Sequence, residues 1–179
     1  MKMSPELESC IMHFGEMGSR WGFNRTVGQM FALIVFSEDP LNADQIAATL
    51  GISRGNVSMG IKELQSWNLI RTQSVLGDRK DYFKPNGSIW DLGMQVMVER
   101  RKREMDPTLS LLRGQLMSHN NSDTNEYALN QMQQIHNLLE MFGSWFDDVQ
   151  RMKPEQLKTL LKLGSGVGKV LELKDRLTK

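Results

Sequence analysis

Residues 41–67, LNADQIAATLGISRGNVSMGIKELQSW, carry the pattern of two short helices joined by a tight turn. Asn42 and Gln45 have the spacing of a capping box, which begins the first helix. Gly51 can take the left-handed conformation that ends this helix, and Ser53 can cap the next one. The stretch therefore predicts a helix-turn-helix.

The second helix of this pair has two different faces. Val57, Ile61 and Leu64 recur at helical spacing, which predicts a buried face. The opposite face is small, polar or basic, which suits a helix that enters a DNA major groove about 12 Å wide. The candidate DNA contacts on and before this helix are Ser53, Arg54, Gly55, Asn56, Ser58, Met59 and Lys62. An ordinary helical hairpin in a protein core would show a similar pattern.

The next residues predict a β-hairpin. LIRTQSVL at 69–76 has strand character, GDRK at 77–80 has turn character, and DYFKP at 81–85 predicts a second strand that Pro85 ends. A hairpin directly after a candidate recognition helix is typical of a wing. Arg71 on the first strand, with Arg79 and Lys80 at the tip, could then contact phosphates or the minor groove. A solvated turn is the alternative.

Together these residues resemble a known family. LNADQIAATLGISRGNVSMGIKELQSWNLI followed by GDRKDYF resembles the winged helix of the MarR-type bacterial transcriptional regulators, specifically their GbsR-like branch. FGEMGSRWGFNRTVGQMFALI at 14–34 resembles the entry helices of that branch, and the likeness extends over roughly residues 10–105. It implies a dimeric, cytoplasmic DNA-binding regulator with its recognition helix at 54–67 and Arg79 as the wing arginine.

The flanking segments are helical in pattern. Pro5 can open one helix that Gly22 ends, Asn24 can cap a second, and a third is expected to begin near Ser88 with Trp90, Met94, Met97 and Val98 inward. The charge run ERRKRE at 99–104 predicts a solvated, internally paired face, with phosphate contact as the alternative. Asp106 and Pro107 predict the start of another helix.

The C-terminal third predicts a surface for association. SHNNSDT at 118–124 has the composition of a polar loop, and Asp123 with Glu126 could cap a helix that runs to about Met152. Its apolar residues recur every three or four positions, which usually requires a partner helix. Lys153 and Pro154 predict a last helical region. We therefore expect a mainly α fold: scaffold helices (1–40), a winged helix-turn-helix with a small β-hairpin wing (41–87), and a helical dimerisation and effector region (88–179).

Composition sets the broad class. The chain has 179 residues, a net charge of +1 and one cysteine, which excludes an internal disulfide framework. Residues 41–105 carry 10 basic and 7 acidic side chains, so the excess positive charge lies in the proposed DNA-binding module. This excess is modest and favours a dimer that combines two such surfaces. No apolar run is long enough for a membrane span, which favours a cytoplasmic protein.

Sites for catalysis, metals or cofactors are not expected. GSGVGK at 164–169 lacks the first glycine and the final Ser or Thr of a phosphate loop. His13, His119 and His136 are far apart and have no Cys or carboxylate at ligand spacing. No nucleophile and base occur in a recognisable catalytic context, so an enzyme is not predicted.

A small-molecule effector is a further expectation. GbsR-like regulators are linked to choline sensing, so the resemblance implies choline or a related quaternary ammonium compound. Ring faces attract such cations, and the candidate aromatic residues are Trp21, Phe23, Tyr82, Phe83, Trp90 and Trp145. A plain core role is the alternative for each of them. Cys10 is expected on or beside an apolar stripe as a buried, inert thiol.

The sequence thus predicts a sequence-specific, homodimeric transcriptional regulator, expected to be a repressor, that binds double-stranded DNA with one recognition helix in each of two major grooves. A winged helix that serves as a protein-interaction or assembly module is the alternative. Such a module would tolerate changes at Lys62 and Arg79.

Overall fold

The computed structural model describes residues 3–118 and 125–164. In chain order the first elements are α1 (Pro5–Trp21), α2 (Arg25–Phe36), β1 (Leu41–Asn42), α3 (Ala43–Leu50) and α4 (Arg54–Ser66). They are followed by β2 (Ile70–Ser74), β3 (Asp81–Pro85), α5 (Ile89–Met117), α6 (Glu126–Arg151) and a helix over residues 154–164, here called α7. The predicted fold class, mainly helical with a small winged hairpin, is confirmed. Among the described helices, none combines the length and apolar character that a membrane span requires.

The chain divides into two compact units, Met1–Glu104 and Met105–Lys179, with the division falling inside α5. The first unit contains the helix-turn-helix, the wing and their scaffold. The second contains the end of α5, with α6 and α7. The polar stretch at 119–124, including Asp123, and most of the 164–169 glycine segment fall outside the described residues.

Helix α2 forms the centre of the first unit. It is apolar on almost every side, and Val27, Met30, Leu33 and Ile34 are each no more than 2% exposed. A helix that is hydrophobic all round must be surrounded by other elements. Here α1, α3, α4 and β3 all pack on it, so its position determines where the other elements of the unit lie.

Glycines allow α1 and α2 to approach closely. A Cβ atom at Gly28 would lie 2.7 Å from the carbonyl oxygen of Phe14, 3.1 Å from the Cα of Gly15 and 3.2 Å from the Cα of Gly18. All three neighbouring atoms belong to the backbone of α1 and cannot move aside as a side chain would. The two helices therefore pack backbone against backbone at this crossing.

The sheet has three antiparallel strands in the order β1-β3-β2. Strands β2 and β3 form the predicted hairpin, with Arg71 opposite Lys84 and Thr72 opposite Phe83. The first strand of the hairpin is shorter than the predicted 69–76, because the Asp78 N–H donates to the Val75 carbonyl and draws Val75 into the turn. Strand β1 was not predicted; it pairs Leu41 with Phe83 in only two residues.

The predicted helix ends are largely confirmed, but one helix boundary is wrong. Gly22 ends α1 at φ 98°, Asn24 caps α2, and Ser88 exchanges hydrogen bonds with Asp91 at the start of α5. The Asp91 hydrogen bonds lower the pKa of its carboxyl group. However, α5 does not end before Pro107 but continues through it to Met117. A proline removes one N–H donor from a helix, and here the surrounding helical sequence tolerates that loss.

Two burial predictions are also wrong. Leu92 and Val96, spaced i and i+4, form the buried side of α5 in the first unit, whereas the expected Met97 is 56% exposed. Cys10 lies on the exposed side of α1, so its thiol is not buried. In both cases the helix face follows from tertiary packing, which rotates the helix away from the face that the sequence pattern favoured.

We expect Gly28→Ala to lower the free energy of unfolding by roughly 1–3 kcal/mol, since the added methyl group must push α1 and α2 apart. Gly93→Ala in α5 is the matched control, because no heavy atom lies within 4 Å of its Cβ position. That control should gain up to about 1 kcal/mol from helix propensity. Urea unfolding of both variants measures the difference, and equal stabilities would contradict the close crossing.

Candidate nucleic-acid interface

The helix-turn-helix is built by the predicted caps. The N–H of Gln45 donates to Asn42 Oδ1 over 3.0 Å, and the N–H of Asn42 donates to Gln45 Oε1 over 2.8 Å. Gly51 ends α3 at φ 65°, in the left-handed region that favours glycine. Ser53 Oγ then accepts the N–H of Asn56 over 3.2 Å and begins α4. Gly51 and Ser53 thus form the turn between α3 and α4.

Helix α4 has the two faces that the sequence predicted. Val57 and Leu64 are fully buried and Ile61 is 7% exposed. Six of the predicted DNA contacts are exposed residues of this helix: Arg54, Gly55, Asn56, Ser58, Met59 and Lys62. Gln65 and Ser66, at its C-terminal end, are exposed as well. Ser53 is exposed just before the helix and serves as its cap. The six residues of the outer face thus project together from one surface.

The two glycines of α4 have different roles. A Cβ at Gly60 would lie 2.6 Å from Met30 Sδ and 2.9 Å from Met30 Cε, so this glycine lets α4 pack closely on α2. At Gly55 the nearest heavy atom is Ser53 Oγ at 3.8 Å. Gly55 therefore leaves a gap between the side chains of the exposed face, where another molecule could approach the helix backbone.

The end of α4 is held by contacts that the sequence did not indicate. Trp67 follows the helix and is fully buried, with its ring 4.0 Å from that of Phe23 between centroids. The guanidinium of Arg103 lies 4.2 Å from the Trp67 ring centroid, a cation–π contact. Elsewhere in the charge run of α5, the predicted pairing is present between Arg100 and Glu104 and between Lys102 and Glu99.

Asp78 shapes the tip of the wing. Its carboxylate accepts the N–H of Lys80 over 3.0 Å and the hydroxyl of Tyr82 over 2.8 Å, and these hydrogen bonds lower its pKa. Gly77, at φ 85°, allows the chain to reverse just before it. Arg79 and Lys80 are exposed in this turn, and Arg71 is exposed on the outer strand β2.

A single carboxylate joins the recognition helix to the wing. Asp44, in the first turn of α3, lies 2.8 Å from Arg54 Nη and 3.1 Å from Lys80 Nζ. The hydrogen bond from Lys80, and the charge of Arg54, lower the pKa of Asp44, and the same contact raises the pKa of Lys80. No sequence pattern indicated this role for Asp44, because Arg54 and Lys80 follow it by 10 and 36 residues in the chain.

This arrangement has a defined pH dependence. Since folding lowers the pKa of Asp44 below its ordinary value of 3.8, its ion pairs stabilise the protein above that pH. The contribution is lost as the pH falls through the lower, folded-state pKa. At neutral pH, Asp44 is therefore charged, and both basic groups are held in place.

A polar groove of about 390 Å³ lies between α3, α4 and the sheet. Ser58 and Lys62 of α4 line it together with Asp44 and Lys80. Gln65 Nε2 donates to Thr72 Oγ1 over 3.0 Å and so ties α4 to β2 at this groove. The outer face of α4 and the part of the wing around Lys80 thus form one continuous surface. Arg71 and Arg79 lie on the hairpin but do not line this groove.

The predicted effector aromatics do not form a single cage in the first unit. Phe23 and Phe83 are core residues, and Tyr82 holds the wing turn through Asp78. Trp21 and Trp90 are half-buried, whereas Trp145 belongs to the second unit and is 56% exposed. Only Trp21 of the six lines the apolar cavity of this unit, which has a volume of about 560 Å³. The other cavity walls include Phe14, Phe31, Ala32, Val35, Phe36, Leu92, Val96 and Arg100.

A family comparison finds a match to part of the chain. The model of the MarR family matches residues 21–81, from the end of α1 to the first residue of β3. This region is similar to the MarR-family winged helix. It contains α2, the helix-turn-helix and the first strand of the wing. Among curated proteins, none is significantly similar to the chain.

Structural comparison finds one solved structure that shares the fold, together with more distant matches. A crystal structure described as a transcriptional regulator has a TM-score of 0.64 and 19% identity, covering 82% of this chain and 96% of its own. An S. aureus MepR mutant bound to an oligodeoxyribonucleotide has a TM-score of 0.35 and 21% identity, covering 78% and 90%. The MarR repressor from Listeria monocytogenes has a TM-score of 0.37 and 11% identity, covering 93% and 88%.

We expect Asp44→Asn to strengthen binding to a DNA duplex of mixed sequence, because Arg54 and Lys80 lose their shared anion and become available to phosphates. The slope of log K against log salt should steepen by about one to two ions per protomer. Glu104→Gln, which removes the same charge from α5, is the matched control and should change the slope less. Equal changes in the two variants would show that only the net charge matters.

Proposed function

We propose that the protein is a sequence-specific DNA-binding transcriptional regulator, acting as a repressor, that binds a pseudopalindromic site as a homodimer. One observation carries this proposal: the outer face of α4 exposes short and basic side chains while its inner face is buried against α2. A helix with such a face can enter a major groove without steric hindrance. A regulator that binds a bacterial chromosome acts in the cytoplasm, so we propose this location for the protein.

The contacts divide into two kinds. We assign direct base contacts to Asn56, Ser58, Met59 and Lys62, which lie along the exposed centre of α4. We assign phosphate or minor-groove contacts to Arg54, Arg71, Arg79 and Lys80, which stand at the start of the helix and on the wing. Ser53 and Gly55 allow the helix N-terminus to approach the DNA backbone.

The first test is DNA binding by the purified protein, using selection from a random duplex pool and then titration of the selected site against salt. Asn56→Ala and Lys62→Ala should weaken specific binding by roughly 1–3 kcal/mol per half-site. Arg79→Ala should weaken binding to all sequences and reduce the salt slope by about one per protomer.

Lys158→Ala is the control for this test, because Lys158 is an exposed lysine outside the region that matches the family. Selection of no sequence, or unchanged binding in all three variants, would contradict the proposal. In that event the protein-interaction module becomes the better assignment.

A homodimer is supported by apolar surface on α6. Six large apolar residues on this helix are at least 48% exposed: Tyr127, Ile135, Leu138, Met141, Phe142 and Trp145. Their positions fall on one side of the helix, which is the arrangement that a partner helix covers. We propose that a second copy of the chain covers this face, because a palindromic site requires two recognition helices.

Phe142→Asp should therefore shift the protein from dimer to monomer, since it places a charge in the covered face. Gln133→Asp is the control: Gln133 is exposed on the same helix but lies on a different side from the apolar face. Sedimentation equilibrium should give twice 20.5 kDa for the wild type and the control. A monomeric wild type would contradict the dimer.

The GbsR-like branch and a choline effector belong to the same proposal. The branch is supported by residues 14–34, whose glycines make the close crossing of α1 and α2. For the effector, the apolar cavity beside Trp21 is a space of about 560 Å³ that a small molecule could fill. Choline added to the DNA titration should release the DNA if this hypothesis is correct.

A further inference from the structure

Met59 is the only large apolar side chain on the outer face of α4 within the described residues, and it is 65% exposed. It stands near the middle of the 13-residue helix. The other large apolar residues of α4, Val57, Ile61 and Leu64, are buried. Met59 therefore protrudes from the proposed DNA-binding surface rather than from the core side.

The neighbours of Met59 make it prominent. Gly55, one turn earlier, has no side chain, and Ser58, next to Met59 in the chain, is short. Lys62 follows three residues later on the same face and is exposed. A helix that enters the major groove with this face would bring the Met59 thioether to the base edges before any other apolar group.

Chemistry limits what Met59 can recognise there. A thioether has no hydrogen to donate and is a weak acceptor, so it cannot form the paired hydrogen bonds that identify guanine or adenine. The apolar feature of the major groove is the C5-methyl group of thymine. An unbranched, polarizable side chain can follow the shape of such a group closely.

We propose that Met59 selects a pyrimidine C5-methyl group, that of thymine, at one position in each half-site of the operator. This inference rests on the proposed DNA-binding function and adds one specific base to it. A dimer would place the two thymines symmetrically about the centre of the site. 5-Methylcytosine carries the same methyl group, so the experiment must distinguish the two bases.

The experiment begins with the site that the wild-type protein selects from random DNA. Each thymine of this site is then replaced by uracil, which removes one methyl group and leaves all the hydrogen-bonding groups. At one symmetric pair of positions the replacement should weaken wild-type binding by about fourfold per methyl group. Met59→Ala should bind the thymine and uracil duplexes at these positions equally.

Met59→Leu keeps an apolar side chain and should retain the preference for thymine. Comparing it with Met59→Ala distinguishes loss of the methyl contact from a general effect of substitution on the helix. Cytosine and 5-methylcytosine at the same positions form the second arm. If methylation of cytosine strengthens binding by the wild type but not by Met59→Ala, the methyl group itself is recognised. The wild type should still bind the thymine duplex most tightly.

Two results would overturn the inference. One is a wild type that tolerates uracil at every position; the other is a Met59→Ala variant that loses as much affinity on uracil duplexes as the wild type. Failure of the wild type to select any sequence is a different outcome, because it contradicts the proposed function itself.

Discussion

The close contact between Gly60 of α4 and Met30 of α2 fixes the position of the recognition helix. A Cβ at position 60 would lie 2.6 Å from Met30 Sδ, so any residue other than glycine requires the buried Met30 side chain to shift. Once this side of α4 is buried, the helical repeat alone determines which residues face outward. The chemical character of the outer face is thus a consequence of one packing contact, together with the central position of α2.

Charge is organised around the same helix. Asp44 binds Arg54 of α4 and Lys80 of the wing, and Asp78 binds the backbone and the tyrosine of the wing turn. Exposed ion pairs contribute little to stability, so the effect of these contacts is geometric. They hold the wing next to the recognition helix and keep two basic groups in defined places until an anion competes for them.

Trp67 links this surface to the rest of the first unit. Its ring contacts Phe23 at the corner between α1 and α2, and the guanidinium of Arg103 on α5. Movement of α5 would act directly on the end of the recognition helix through this ring. The apolar cavity, lined by α1, α2 and α5, lies against the same helices.

Local chemistry made much of the fold predictable. The capping box at Asn42 and Gln45, the left-handed glycines at 22 and 51, and the hairpin at 81–85 each depend on residues close together in the chain. Strand β1 was missed because two residues carry no alternating pattern, and it forms only because β3 offers a free edge. The helix start at Pro107 was wrong because proline favours a first turn but does not exclude a helix interior.

By itself, the sequence determined the helix-turn-helix, the wing and the polar character of the outer face of α4, because these follow from spacings within one or two turns. Only the tertiary structure decided that Asp44 joins Arg54 to Lys80, that Arg103 lies on Trp67, and that Phe23 and Phe83 are core residues. Such contacts join positions far apart in the chain, and their partners depend on how the helices pack around α2. Helical periodicity shows that a residue lies on a face, but the packing decides what that face meets.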